Sequence, residues 1–333
     1  MGQYNDIIKW NALEQDIHEE GFFLEELLNS VKQTIIGQSA LLERLLIGLL
    51  GKGHILLEGM PGLAKTLAAK TLAQSIDTLF SRIQFTPDIL PADILGTMIY
   101  NIQTNEFLIK KGPIFSNFVL ADEVNRAPEK VQSALLEVMQ EGQVTIGSST
   151  YKLDPPFMVL ATQNPIDQAG TYELPEAQMD RFMLKVLVEY PTREEERLIN
   201  RRNPARERNN VNSIATEHIL RMQGLVEKIF IDEKIEDYIL DIILSTRRPE
   251  EYRLSALKPY IKFGASPRGG INLMAAARAH AFLRRRAFVI PADVYAVAPD
   301  VLRHRIGLTY AALAEGITTD HIVKEIVKVI AAP

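Results

Sequence analysis

Five short, almost uninterrupted apolar runs lie between residues 54 and 188, and helical patterns separate them. They read HILLEG (54–59), SRIQF (81–85), FVLADE (118–123), FMVLAT (157–162) and FMLKVLV (182–188). A strand that is apolar on both faces must be covered on both faces, and strands spaced by helices run parallel through crossovers. The pattern predicts an α/β domain whose parallel sheet is covered by helices on each side. Two stretches break the alternation and read as hairpins. One spans 97–114 and turns near Thr104-Asn105; the other spans 142–153 and turns at Gly147-Ser148-Ser149. Hairpins projecting from a parallel core either contact something outside it or cover its edges.

The ends of the chain have a different character. Residues 1–33 cluster Ile7, Ile8, Leu13, Phe22, Phe23, Leu24, Leu27 and Leu28 at helical spacing, and predict one or two amphipathic helices leading into the main domain. Trp10 reads as a packing residue of that lead-in. The run YPTREEERLINRRNPARERNN (190–210) is highly charged and interrupted by Pro191 and Pro204, and we place a domain boundary near 191. Its basic part, RRNPARER, is interleaved with glutamates and reads as a solvated linker. Helical patterns follow at roughly 214–229, 233–248, 268–287, 291–305 and 319–331, as expected of a small helical bundle. The expected division is a lead-in at 1–33, an α/β core with the two hairpins at 34–191 and a helical domain at 192–333.

Composition excludes several classes of function. With no cysteine there are no disulfides and no thiolate metal sites. No stretch reaches the ~18 consecutive apolar residues of a membrane helix, and the first residues lack a basic region followed by an apolar block. A cytoplasmic protein is the expectation. A net charge of −5 argues against a general nucleic-acid binder, which is normally basic. The six histidines are scattered without metal-ligand spacing, and no Ser/His/Asp arrangement suggests another kind of hydrolase.

Three motifs carry chemistry. EGMPGLAKTL (58–67) follows an apolar strand and opens a helix, the setting of a phosphate-binding loop, G-x-x-x-x-G-K-[ST]. Gly59 opens it and Lys65-Thr66 close it, but Ala64 stands at the second motif glycine. Backbone N–H groups of Pro61–Leu67, proline excepted, would surround phosphates at a helix N-terminus. Lys65 would reach the β- and γ-phosphates, and Thr66 would bind magnesium. Ala64 keeps its N–H; its methyl is harmless at negative φ and costly at positive φ. In the second motif, FVLADE, Asp122 would hold magnesium through its water and Glu123 would polarise the attacking water. The third, FMVLATQNP, ends in Asn164, a neutral group able to position that water.

The order and spacing of these motifs resemble the AAA+ ATPases, and more closely the MoxR family in their helix-2-insert branch. IIGQ (35–38), LLEGMPGLAKT, RIQFTPDILPADILG (82–96), ADEVNRAPEKVQSALLEVMQEGQVTI (121–146), ATQNPIDQAGTYELPEAQMDRF (161–182) and GASPRGGINL (264–273) carry the resemblance, which covers about residues 30–310. It implies an AAA+ P-loop NTPase core with a five-stranded parallel sheet, order 5-1-4-3-2, and a C-terminal all-α lid. Alanine before the lysine is common in this branch. The resemblance further implies that Ile36, Gly37 and Gln38 pack the adenine, and that the loop residues Gly59, Pro61, Gly62, Leu63, Ala64, Lys65, Thr66 and Leu67 hold ATP. Thr66 and Asp122 take Mg2+, with Glu123 as base and Asn164 as sensor. Arg181, in QMDRF, matches the arginine finger reaching a neighbouring subunit's nucleotide; Arg268, in SPRGG, matches the second sensor touching the γ-phosphate. Arg126 is either a further intersubunit group or engaged in capping or a salt bridge with Glu129. Arg284, Arg285 and Arg286 read as a solvated helix face.

The implied activity is Mg-dependent ATP hydrolysis coupled to chaperone-like remodelling of a partner by a homo-oligomer, a hexameric ring in the family. A von Willebrand factor A domain protein and a client complex are the implied partners. A nucleic-acid motor, a chelatase-type metal-insertion subunit, or a nucleotide-gated binding module with negligible hydrolysis are the alternatives. Lys110, Lys111 and Lys152 give the two hairpins little positive charge with which to bind nucleic acid.

Overall fold

The computed structural model describes residues 2–164, 172, 174–201 and 213–333. A helix α1 (Gly2–Thr34) leads to α2 (Ser39–Leu50) and the first strand, β1 (Ile55–Glu58). Then come α3 (Lys65–Gln74), β2 (Phe80–Gln84), α4 (Pro91–Leu95) and the hairpin β3 (Gly96–Asn101)–β4 (Glu106–Lys111). β5 (Phe118–Asp122) leads through a short 3-10 turn to α5 (Glu129–Glu141), the hairpin β6 (Gln143–Ile146)–β7 (Ser149–Lys152), and β8 (Met158–Gln163). α6 (Glu176–Met179) and β9 (Leu184–Leu187) complete the sheet.

The five central strands lie in the order β2-β5-β8-β1-β9, all parallel. Counted along the chain as five core strands, this is the expected 5-1-4-3-2. Leu120 is fully buried against Leu160, and Leu160 stands beside Ile55 in register, so the apolar runs form the centre of the sheet. One core lies on the α2/α3 side and continues into the helices of the C-terminal half; the other lies beneath α4 and α5.

Beyond the sheet lie α7 (Arg193–Arg201), α8 (Thr216–Lys228), α9 (Glu233–Arg247) and a small β10 (Ile261–Phe263). They are followed by α10 (Pro267–Leu283), α11 (Pro291–Leu302), β11 (Gly307–Leu308), α12 (Tyr310–Ala314) and α13 (Thr319–Val329). The five expected helical segments correspond to α8, α9, α10, α11 and α13. Within the charged stretch, α7 was not anticipated, although Thr192 and Glu195 form a capping box there. Glu195 accepts from the Thr192 N–H at 2.7 Å, and its own N–H points back to the Thr192 hydroxyl at 3.4 Å. Much of RRNPARER lies outside the described residues.

The lead-in is one helix, and it packs on the body of the protein instead of standing ahead of it. Glu20 is 1% exposed, bonded to His218 at 3.0 Å and to Arg221 at 3.2 Å, both on α8. Phe23 stacks on the His218 ring at 3.7 Å. Trp10's side chain lies outside the described residues. Arg284–Arg286 depart from expectation in part: α10 ends at Leu283, Arg284 stays exposed as expected, and all three pair with carboxylates. Arg284 pairs with Glu43, Arg285 with Glu25, and Arg286 with the buried Asp293. Arg44 on α2 pairs with Asp300 on α11, and Arg303 donates to the carbonyl of Lys185 on β9, so charged pairs tie sheet and helical half together. No helix among the described residues is long and apolar enough to cross a membrane.

Candidate functional site

The loop after β1 is shaped by close approaches. A Cβ at Gly59 would meet the Val188 carbonyl oxygen at 2.7 Å, so only glycine fits beside the end of β9. Gly62 has φ +86°. Ala64 adopts φ 58°, ψ 18°, the left-handed region, which answers the question its methyl raised. An L-residue there costs about 1–2 kcal/mol; the loop carries that strain while presenting the Ala64 N–H at the start of α3. Lys65 Nζ donates to the Gly59 carbonyl at 2.5 Å. Burial lowers its pKa from the ordinary lysine value, opposed by Asp122, Glu123 and Glu58. A half-desolvated ammonium held by one carbonyl gains by exchanging that oxygen for a phosphate.

A cavity of about 400 Å³ opens above this loop, lined by Pro61 through Leu67. Asp122, Glu123 and Asn164 line it from the ends of β5 and β8, so the three motifs converge. Thr66 and Asp122 supply the hard oxygen donors that suit magnesium, leaving its other positions to water and phosphate. That donor set fits the ion expected from the sequence.

Both acidic side chains are compensated by neighbours, of which the sequence singles out only Arg126. Asp122 Oδ1 accepts from the Thr162 hydroxyl at 2.6 Å, and Oδ2 accepts from Arg82 Nε at 3.0 Å and Nη2 at 2.6 Å. Glu123 Oε2 accepts from Gln84 Nε2 at 2.9 Å and from Arg126 Nη1 at 3.0 Å. Arg126 thus pairs with Glu123 and not with Glu129. Arg82 Nη2 also donates to Gln84 Oε1 at 2.9 Å, linking the two clusters. A signal for Arg82 and Gln84 existed: they alternate along one face of the strand RIQF, and Gln84 stands in register with Asp122. Thr162 lies on β8 two residues before Asn164, which follows the strand's end, and both line the cavity.

The two expected arginines are brought together, but elsewhere. Arg181 and Arg268 line a second cavity of about 280 Å³ with Met139, Gln140, Asp180 and Asn272. Arg181 Nη1 donates to the Leu136 carbonyl at 3.0 Å, and its buried Nε has no partner among the described residues. Asp180 binds this loop to the helix that carries Arg268. It accepts from the Ser266 hydroxyl at 2.8 Å, and Ser266 caps α10 by accepting from the Arg268 N–H at 3.1 Å. It also pairs with Arg305 at 2.8 Å, whose side chain is 1% exposed. Burial lowers the Arg305 pKa to about 10, opposed by Asp180.

A profile of the ATPase family associated with various cellular activities (AAA) matches residues 54–184, and an AAA lid domain profile matches 253–326. Chaperone MoxR1 of Mycobacterium tuberculosis (strain ATCC 25618 / H37Rv) is 49% identical over 310 residues, covering 93% of this chain and 82% of that protein. The chain belongs to the MoxR family of AAA+ ATPases. Protein MoxR of Paracoccus denitrificans is 30% identical over 325 residues, covering 92% of each. A crystal structure from Cytophaga hutchinsonii ATCC 33406 superposes with a TM-score of 0.91 at 48% identity, covering 98% of this chain and 99% of that one.

In this MoxR-family chain Ile36, Gly37 and Gln38 are not among the described residues that line the phosphate-loop cavity. Gln38 Nε2 donates to the Glu189 carbonyl at 3.3 Å. Gly37 has φ +78°, and a Cβ there would meet the Glu195 carboxyl carbon at 2.8 Å. Gln38 and Gly37 thus lie against the segment that leads into α7 and against α7 itself.

Proposed function

We propose that the chain couples Mg-dependent ATP hydrolysis to chaperone-like remodelling, assembly or activation of a partner protein. The observation that carries this reading is the single cavity joining Lys65, Thr66, Asp122, Glu123 and Asn164. Lys65 and the N–H groups opening α3 bind and orient the triphosphate, Thr66 and Asp122 hold magnesium, and Asn164 orients water. Glu123 takes that water's proton, for which it must leave Gln84 or Arg126. Magnesium, when bound, offsets the charge on the transferred phosphoryl group.

Arg181 and Arg268 complete the site of a neighbouring subunit in a homo-oligomeric ring, a hexamer by family likeness. Their shared cavity, remote in lining from the phosphate loop, favours a joint role across an interface. A guanidinium supplied in this way is worth about 10³–10⁵ in rate in well-studied phosphoryl-transfer systems, and a ring closes such heterologous contacts.

The hairpin β3–β4 supports a protein client. Ile102 is 86% exposed and Phe107 65%, with Ile99, Tyr100 and Leu108 about half exposed beside them. Its surface is apolar where a nucleic-acid motor would be basic. A von Willebrand factor A domain protein is the partner class that family likeness suggests. The test is ATP turnover per subunit against protein concentration with magnesium present. Turnover rising with concentration supports shared sites; absence of turnover at all concentrations, with and without partner, refutes the reading.

A further inference from the structure

We propose that Thr162 is a positioning residue that sets the magnesium carboxylate and the water-activating carboxylate in register through one hydroxyl. The inference rests on the roles just given to Asp122 and Glu123. Thr162 is 2% exposed, and its Oγ1 stands between the two acidic residues. A hydroxyl offers one proton and two lone pairs. The proton goes to Asp122 Oδ1 at 2.6 Å, and a lone pair accepts the Glu123 N–H at 2.8 Å. The directions are fixed, because an amide only donates and a carboxylate only accepts.

The second bond matters because of where Glu123 sits. Its backbone is left-handed, φ 57°, ψ 49°, a conformation strained for a glutamate and kept only where surroundings enforce it. That turn aims the Glu123 side chain into the cavity beside Asp122, and the amide bonded to Thr162 is the point at which β8 grips it. A side chain at 162 without a hydroxyl leaves an Asp122 carboxylate oxygen and the Glu123 N–H without this partner together, so both functional groups lose their reference at once. Ser and Thr satisfy both bonds; valine has threonine's shape and satisfies neither.

The test compares Thr162→Val with Thr162→Ser, using Mn2+ as the metal probe. T162V should lower kcat about 10–100-fold, the usual cost of removing a group that orients a metal ligand, with KM for ATP little changed. Mn2+ affinity of the ADP-loaded protein, read by electron paramagnetic resonance, should weaken by about tenfold. Binding of a fluorescent ADP analogue in EDTA should stay at the wild-type level, since the phosphate loop is untouched. T162S should restore both kcat and Mn2+ affinity. If T162V does not fold, Thr162→Ala is expected to give the same split. Wild-type kcat and Mn2+ affinity in T162V would overturn the proposal. Equal damage in T162S, or loss of metal-free nucleotide binding, would reduce Thr162 to a packing role and also overturn it. Asp122→Asn and Glu123→Gln run alongside: if neither loses metal affinity or turnover, the site reading itself has failed, separately from Thr162.

Discussion

Replacing Ala64 by glycine should stabilise the nucleotide-free protein. At φ 58°, ψ 18° the alanine methyl crowds its own backbone, at a cost of about 1–2 kcal/mol. Glycine removes that cost but makes the unfolded chain freer, which takes back about 0.4–1 kcal/mol. The net gain is about 0–1.6 kcal/mol, centred near 0.8, which is roughly 2–3 °C in the melting temperature of a domain this size. Scanning calorimetry of A64G without nucleotide measures it directly. Ala69, fully buried within α3, is the matched control: the same change there should destabilise by about 1 kcal/mol or more through helix propensity alone. Because residue 64 keeps its N–H, ADP affinity of A64G should stay within about twofold of wild type. A melting temperature that falls in A64G as it does in Ala69→Gly would refute the argument from backbone strain.

Two further outcomes are expected. His54 is buried, accepts from the Val159 N–H on Nδ1 and contacts the Met139 carbonyl through Nε2, and its pKa falls to about 4 from 6.5, mainly by burial. The folded state thus binds fewer protons than the unfolded one between these values. Stability is complete above pH 6.5 and is lost as pH falls towards 4, at about 1.4 kcal/mol per pH unit for one group. His304, lowered in the same direction by burial, adds to the slope; denaturant titrations at pH 7, 6 and 5 should show it, and flat stability would contradict it. Arg82→Ala frees Asp122 Oδ2 from a half-exposed competing cation, so the magnesium needed for half-maximal turnover should fall by up to about fivefold; a rise would show that Arg82 positions Asp122 instead.

What could be read from the sequence was what local pattern determines. Continuous apolar runs and a loop between strand and helix fix the parallel sheet, its strand order through family likeness, and the convergence of Lys65, Asp122 and Asn164. What could not be read depends on partners distant in the chain or on backbone angles. No pattern in GLAKT says which sign φ takes at Ala64. Arg82, Gln84 and Thr162 acquire meaning only once β2, β5 and β8 lie side by side. Arg284–Arg286 looked solvated because Glu43 and Glu25, two of their partners, are more than two hundred residues away, and Asp293 belongs to the next helix. The Thr192–Glu195 capping box was a local signal overlooked, hidden by the charge of its surroundings.

The central claim is that each active site is built from two subunits, and mixing two inactive variants tests it most directly. Glu123→Gln subunits retain Arg181 but lack the base, while Arg181→Ala subunits retain the base but lack the finger. Each alone should be nearly inactive. Mixed in equal amounts, they should recover turnover at up to about a quarter of the interfaces, where an intact base meets an intact finger across a head-to-tail contact. Activity in the mixture no greater than the average of the two separate variants, with mixed rings formed, would contradict a shared site.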